Sequence, residues 1–591
     1  MVRAPFNVTR SVLGQPWAWR GGLLPDPGAG AASGLSDVVH QLFRARGAAR
    51  GDIDRLVSAR VRDWLPDPSI FRDMDTAAAR LAKAITAREN VVVFGDYDVD
   101  GATSAALLVR VVRQCGGVCS AYIPDRLLEG YGPSADAMAA LKASGAALVV
   151  TVDCGTQGFE ALARAQADGM DVIVVDHHQA STGLPPAYAV VNPNRLDENS
   201  EARRFGHLAA VGMAFLTGVA VLRTLRGQGW FVDRPEPKLL ELLDLVALGT
   251  VADVVPLTGL NRAFVAQGLK VMAARRNPGL AALIDVAGIS RAPVAKDLGF
   301  ALGPRINAGG RVGKSDLGVC LLTSDDPDEA TAIAAELDRL NVERKVVEGE
   351  VTDAAVLRAA GCLNEAVAVV SGDGWHAGVI GIVASRLKDR FNRPAIVIAL
   401  DGGIGKGSGR SLPGVDLGGA VLAAKDHGLL IAGGGHAMAA GLTIATDRIP
   451  AFTAFLHERL GGDVGRAQGG VALSCDAALS PRGVCVDLAE TLDGAGPYGH
   501  GWPAPRIAAG PWTVVKCDVV GGAHVRVILI GADGARLKAM AFRHADTPLG
   551  AALAGTSGRA IYIAGRVQRD DWGRERAAEL HIDDIAYADG F

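Results

Sequence analysis

From residue 91 the chain repeats one pattern: a short run of β-branched residues, a polar or glycine-containing turn, then an Ala/Leu-rich stretch at helical spacing. VVVFG (91–95), VCSAYI (118–123), ALVVTV (147–152) and VIVV (172–175) are the runs. Each is largely apolar, which predicts a strand buried on both faces. Such strands alternating with helices predict a parallel sheet covered by helices on both sides. A mostly helical stretch follows over about 207–290. Residues 327–360 read as one long helix: Pro327 and Asp328 suit its first turn, and no Gly or Pro interrupts it before Gly349. A helix this long predicts a connection between two domains, and with it a cleft narrow enough to admit one strand. A second α/β unit follows, with AVAVVSG (366–372) and PAIVIAL (394–400) as strands and a glycine-dense stretch from 402 to 441. After about 465 the pattern turns all-β. Candidate strands are 512–520, 523–530, 536–542, 560–567 and 578–586, with a helical segment near 546–554; this predicts an OB-type β-barrel.

Composition narrows the class. A chain of 591 residues suits about three or four domains, and 49% hydrophobic with 21% charged residues is the make-up of a well-cored globular protein. The first residues lack the apolar core of a signal peptide, and no apolar run reaches the roughly 20 residues of a membrane span. The expectation is a soluble, cytoplasmic protein with no membrane attachment. The eight cysteines are scattered, with Cys115 and Cys119 the one close pair, so they read as buried free thiols. A net charge of −4 does not advertise nucleic-acid binding. Bound cations would offset metal-binding carboxylates, however, and a nucleic-acid track needs only a local basic stripe.

Four motifs carry chemistry. Gly95-Asp96-Tyr97-Asp98-Val99-Asp100-Gly101 follows the first strand; Asp153 and Asp176-His177-His178 follow two others; Asp253 follows an apolar helical run. Taken singly, an Asp at a strand end is a helix cap and paired histidines are surface residues. Taken together, three of the four converge on the carboxyl edge of one parallel sheet, where such sheets bind ligands. Clustered carboxylates repel one another unless a cation lies among them. Oxygen donors with an imidazole suit Mn²⁺ or Mg²⁺, and five or more ligands suit two ions. A two-ion site hydrolyses a phosphodiester with an activated water and no protein nucleophile.

GDYDVDG, VDCG, DHH and GTVADVVPL, in this order and at these distances, resemble the motifs of the DHH phosphoesterase family. The resemblance implies that Asp96, Asp98, Asp153, His177 and Asp253 are metal ligands, with Asp153 bridging two ions. It implies that Asp100 and Asp176 orient those ligands and that His178 faces the substrate phosphate. The stretches 303–311 (GPRINAGGR), 374–381 (GWHAGVIG) and 407–411 (GSGRS) resemble the branch of single-strand-specific DNA exonucleases, and 433–441 (GGGHAMAAG) resembles the DHHA1 domain that accompanies DHH. The implied organisation is an N-terminal extension (1–75), a DHH domain (76–325), a connecting helix (326–360), a DHHA1 domain (361–465) and an OB-type domain (466–591).

Arg305, Arg311 and Arg410 among glycines are candidate phosphate grips. Arg126, Ser408 and Arg410 resemble a pocket for a 5′-terminal phosphate, and His436 is a further substrate-binding candidate. On the barrel, Trp512, Phe542, Tyr562 and Trp572 are candidate stacking residues, and Arg526, Lys538, Arg566 and Arg569 candidate backbone contacts. The expectation is a 5′-to-3′ exonuclease on single-stranded DNA, acting in repair and recombination and releasing mononucleotides. A phosphodiesterase of short oligonucleotides or cyclic dinucleotides, and a non-enzymatic repair scaffold, are the alternatives. A monomer suffices, and a helicase and a single-strand-binding protein are the partners such an activity calls for.

Overall fold

The computed structural model describes residues 4–24, 36–125, 129–362, 365–469, 472–556, 558–570 and 576–588. The chain divides into two compact units. One comprises residues 1–310, 314–338 and 472–591; the other comprises 311–313 and 339–471.

A short strand β1 (Trp17–Trp19) opens the first unit. Its main sheet is built from β2 (Asn90–Gly95), β3 (Val118–Tyr122), β4 (Leu148–Val152), β5 (Asp171–Val175) and β6 (Ala189–Val191). All neighbours are parallel, in the order β3-β2-β4-β5-β6. The chain leaves β2 toward one side and returns as β4 on the other, so the two turns flank the point where strand order reverses. β4 is fully buried, as its largely apolar run predicts, whereas β3, at the sheet edge, exposes Val118 and Ser120 and is not buried on both faces. The four anticipated strands are observed to within a residue. β6, only three residues long, is too short to leave a pattern. The helices Val99–Gln114, Ala210–Gly227 and Leu243–Ala252 belong to the core beside this sheet. Ala210–Gly227 is the one described helix long and apolar enough to cross a membrane, but most of it is buried in that core. Before residue 75, Leu42, Phe43, Ile53 and Phe71 join the same core.

The second unit carries β7 (Ala368–Asp373), β8 (Ala395–Asp401), β9 (Ile404–Arg410), β10 (Ala432–His436) and β11 (Ala439–Ala445), in the order β10-β11-β9-β8-β7. Only β7 and β8 are parallel. The glycine-dense stretch therefore contains strands that its composition conceals, because glycine has little intrinsic preference for a strand. Packing explains one of these glycines: a Cβ on Gly407 would lie 2.7 Å from Leu442. The long helix spans Pro327–Ala359 and ends in a 3₁₀ turn, Ala360–Cys362.

The remaining strands return to the first unit: β12 (Leu473–Cys475), β13 (Ala477–Leu479), β14 (Ile507–Val520), β15 (His524–Gly531), β16 (Arg536–Ala541), β17 (Ala560–Arg569) and β18 (Ala578–Tyr587). β14 through β18 close on themselves through the β14–β17 pairing, with the helix Pro548–Ala554 before β17. This is the five-stranded barrel the spacing predicts, with β13 added in parallel to β14. β1 pairs in parallel with β12, and the Trp17 indole donates to Asp584 at 3.1 Å. The seven described cysteine side chains are free thiols; Cys320 and Cys485 are exposed rather than buried.

Candidate metal centre

After β2 the backbone turns through Asp96–Asp98 and enters the helix Val99–Gln114. Gly101 permits this fold-back, since a Cβ there would lie 2.3 Å from the Asp96 carbonyl oxygen. Asp98 caps the helix, its Oδ1 accepting from the amides of Asp100 (2.8 Å) and Gly101 (3.0 Å). Asp100 is buried and accepts the amides of Ala210 (2.6 Å) and Val211 (3.0 Å), two of the donors that a helix start leaves unpaired. After β4, Asp153 adopts φ +59°, a left-handed conformation that Asp tolerates better than most residues. After β5, the buried Asp176 carboxylate accepts from the amides of His177 (2.8 Å), His178 (3.2 Å) and Thr156 (3.1 Å), and from His178 Nδ1 (2.8 Å). The His177 ring sets Nδ1 2.9 Å from the Leu208 carbonyl, which places the proton there and leaves Nε2 as a lone-pair donor. Asp253 caps the C-terminus of Leu243–Ala252, 3.8 Å from the His177 ring.

These side chains form three groups whose ligand atoms lie within 4.8 Å of one another: Asp96, Asp98 and Asp153; Asp153, His177 and His178; Asp100, His177 and Asp253. Asp153 and His177 each belong to two groups. His177 Nε2 and Asp253 Oδ2 are buried without a hydrogen-bond partner. Two such atoms facing a carboxylate cluster fit divalent cations and little else. Sulfur takes no part, because the buried Cys154 thiol is turned to the Val152 carbonyl.

The electrostatics agree. Burial, then the charges of Asp98, Asp100, Asp96 and Asp253, push the Asp153 carboxyl well above its ordinary range. Burial with Asp100 and Asp98 pushes Asp253 up to about 9. Burial raises Asp176 as well, but the hydrogen bond and charge of His178 outweigh it and hold this carboxyl low. Burial lowers His178, and the bond to Asp176 more than reverses that, so the imidazole is held above its usual value. His177, buried and next to His178, is held below. The two neighbouring imidazoles are thus shifted in opposite directions.

Other residues complete the site. Asn192 and Asn194 follow β6 and donate to the backbone carbonyls of His178 (2.8 Å) and His177 (2.5 Å). Asn192 also bonds the Thr156 hydroxyl at 2.9 Å. The Asn-Pro-Asn after an apolar triplet was the available signal for this fourth strand end. Tyr131 donates to the Asp153 carbonyl at 2.9 Å and lies against the His178 ring.

The candidates outside the cluster have varied surroundings. Arg126 and Trp572 lie outside the described residues. Arg305 is ion-paired with Asp338 at 2.9 Å, and Arg311 donates to the Gly378 carbonyl at 2.7 Å. Ser408 and Arg410 adjoin on β9, 3.2 Å apart, and both lie against Gly381 in the first turn of the helix Ile380–Phe391. His436 is exposed at the end of β10. On the barrel, Trp512 is core, Tyr562 stacks on Phe6, and Phe542 is exposed between His524 and His581. Arg526 pairs with Asp518, Arg566 with Asp583, and Lys538 with Asp570 and Glu579; Arg569 also has interactions of its own.

A parallel sheet with a carboxylate–histidine cluster across its switch point defines a phosphoesterase of the DHH type. Residues 90–250 match the DHH family N-terminal domain, 364–462 the DHHA1 domain and 475–584 the RecJ OB domain. The chain is 38% identical to a single-stranded-DNA-specific exonuclease RecJ from Dickeya dadantii, over 94% of this chain and 97% of that one. It is 37% identical to the protein of the same name from Escherichia coli, over 93% and 96%. The crystal structure of RecJ in complex with Mn²⁺ from Thermus thermophilus superposes with a TM-score of 0.78 at 28% identity, covering 96% of this chain and 79% of that one. The chain belongs to the RecJ family.

Proposed function

We propose that this protein is a metal-dependent exonuclease on single-stranded DNA, which degrades the strand from its 5′ end to mononucleotides in cytoplasmic repair and recombination. The observation that carries this reading is the set of three overlapping donor groups sharing Asp153 and His177, in a chain with the domain order of its RecJ relatives. Asp96, Asp98, Asp153, His177 and Asp253 would hold two divalent ions, Mn²⁺ or Mg²⁺. When bound, the ions supply Lewis acidity and an acidified water.

This chain's own residues do the rest. Asp153, shared by two of the three donor groups, would contribute to both ion positions. Asp100 anchors the helix Ala210–Gly227 to the metal loop. Asp176 uses Oδ1 to hold the amides of both histidines and the His178 ring, while Oδ2 accepts the Thr156 amide, so this carboxylate orients the histidine pair. His178, its imidazole held above its usual value by the hydrogen bond to Asp176, would face the phosphate and could deliver a proton to the leaving oxygen. Ser408 and Arg410, beside a helix N-terminus, suit the terminal 5′ phosphate. The barrel, with Phe542 exposed, suits the following nucleotides. A helicase and a single-strand-binding protein would supply and present the strand to a monomeric enzyme.

The test is hydrolysis of labelled single-stranded and duplex DNA, a short oligonucleotide and a cyclic dinucleotide, each with Mn²⁺ or chelator. Mn²⁺-dependent release of mononucleotides from the single strand alone supports the reading. Preference for the cyclic dinucleotide contradicts it.

A further inference from the structure

The turn before Gly303 is π-helical, Leu298–Leu302. Leu298 and Leu302 are fully buried, yet Phe300 between them is 82% exposed, the most exposed large hydrophobic side chain among the described residues. Single π turns are uncommon and gather at functional sites. This one is set between two elements of the metal centre. A Cβ on Gly299 would lie 3.5 Å from Val251, and one on Gly303 would lie 3.6 Å from Ala252 and 3.8 Å from Val99. Val251 and Ala252 form the last turn before the candidate ligand Asp253. Val99 opens the helix that Asp98 caps.

A second exposed apolar residue follows the adjoining helix Leu243–Ala252. Val254, directly after Asp253, is 61% exposed and has φ +60°. A β-branched residue adopts that conformation only when its surroundings impose it. Here the loop is pinned by the Leu257 amide donating to the His500 carbonyl at 2.8 Å. An exposed phenyl ring gains nothing from burial on folding, and the left-handed backbone at Val254 is a strained conformation for valine. The flat face of a nucleobase would cover the ring, because bases stack on exposed aromatic rings whatever their sequence.

Building on the exonuclease reading, we propose that Phe300, with Val254 after the ligand Asp253, forms an apolar ledge that takes a base of the DNA strand close to the scissile phosphodiester. A base paired and stacked in duplex cannot present its face to such a ledge, so the contact selects for single strands.

The experiment is an abasic scan. Strands carrying one abasic residue, moved stepwise through the first nucleotides from the degraded end, are digested with Mn²⁺ by wild type, Phe300→Ala and Phe300→Trp, and initial rates are compared. Wild type is expected to slow about tenfold at one position of the scan, the scale of a lost stacking contact. Phe300→Ala is expected to be about tenfold slower on intact strands and to lose the position-specific slowing. Phe300→Trp is expected to retain the wild-type profile. Phe300 is exposed, so unchanged thermal unfolding with Mn²⁺ verifies that each variant folds. A wild-type scan profile in Phe300→Ala overturns the ledge while leaving the exonuclease reading in place. Failure of the wild type to degrade intact single strands overturns that reading, and the ledge with it.

Discussion

Replacing Asp253 by Asn should stabilise the metal-free protein and destabilise the metal-loaded one. In the absence of cations, burial and the charges of Asp100 and Asp98 push the Asp253 carboxyl up to about 9 from an ordinary 3.8. A folded-state pKa above the unfolded value means that the folded state holds the proton more tightly. Its contribution to stability is therefore fully present below about pH 4 and is lost as pH rises through about 9. At about 1.4 kcal/mol per pH unit, the interval from 3.8 to 7 sets a ceiling of about 4 kcal/mol at neutral pH. The strain is shared with Asp100 and Asp153, so about 2 kcal/mol is the expectation for one substitution. That corresponds to a rise of about 2–5 °C in unfolding temperature for a unit of this size. The assay is thermal unfolding of wild type and Asp253→Asn at pH 5, 7 and 9, in chelator and in Mn²⁺. In chelator the variant should unfold at a similar temperature at pH 5 and several degrees higher at pH 9. In Mn²⁺ the order should reverse, because the variant loses a charged ligand. A variant that is less stable than wild type in chelator at pH 9, or equally stabilised by Mn²⁺, refutes the view that this cluster is strained to receive cations.

Further outcomes follow from the same geometry. Asp153→Asn should cut hydrolysis about a thousandfold or more and, like Asp253→Asn, should unfold no lower than wild type in chelator; Asp153→Ala should be less stable than Asp153→Asn, because alanine tolerates φ +59° less well, as comparative unfolding would register. Asp176→Asn should weaken the hold on both histidines and lower the His178 pKa, which NMR titration of the imidazole reads directly; an unmoved titration contradicts the assigned pairing. Arg410→Ala should shrink the rate preference for 5′-phosphorylated over 5′-hydroxyl strands without altering metal affinity, measured as the ratio of initial rates. Phe542→Ala should weaken binding to long single strands with its salt dependence unchanged, since it removes stacking and no charge.

The parallel sheet and the gathering of the candidate ligands at its strand ends were legible in the sequence because both rest on local rules. A strand buried on both faces is an unbroken apolar run, and strand ends fix where the following Asp and His residues lie. The barrel was legible through strand count and the position of one helix. Less legible were elements whose cause is tertiary. β9 and β10 are strands despite their glycines, and at Gly407 the packing of Leu442 leaves no room for a Cβ. β6 is too short to show a period, which hid Asn192 and Asn194. The left-handed backbone at Asp153 and Val254, and the ion pair that engages Arg305 with Asp338, come from contacts between distant segments. Tyr131 carries no sequence pattern of its own, because its hydrogen bond to the Asp153 carbonyl depends on how two turns of the sheet meet.

The most direct test of the central claim uses one strand of DNA labelled separately at its 5′ and 3′ ends. Wild type and Asp153→Asn are incubated with each form, in Mn²⁺ or chelator, and the first labelled product is identified. The account predicts that wild type in Mn²⁺ releases the 5′ label first, as a mononucleotide, and that the variant and the chelated enzyme release neither label. Release of the 3′ label first, or wild-type rates in chelator or in Asp153→Asn, would contradict it.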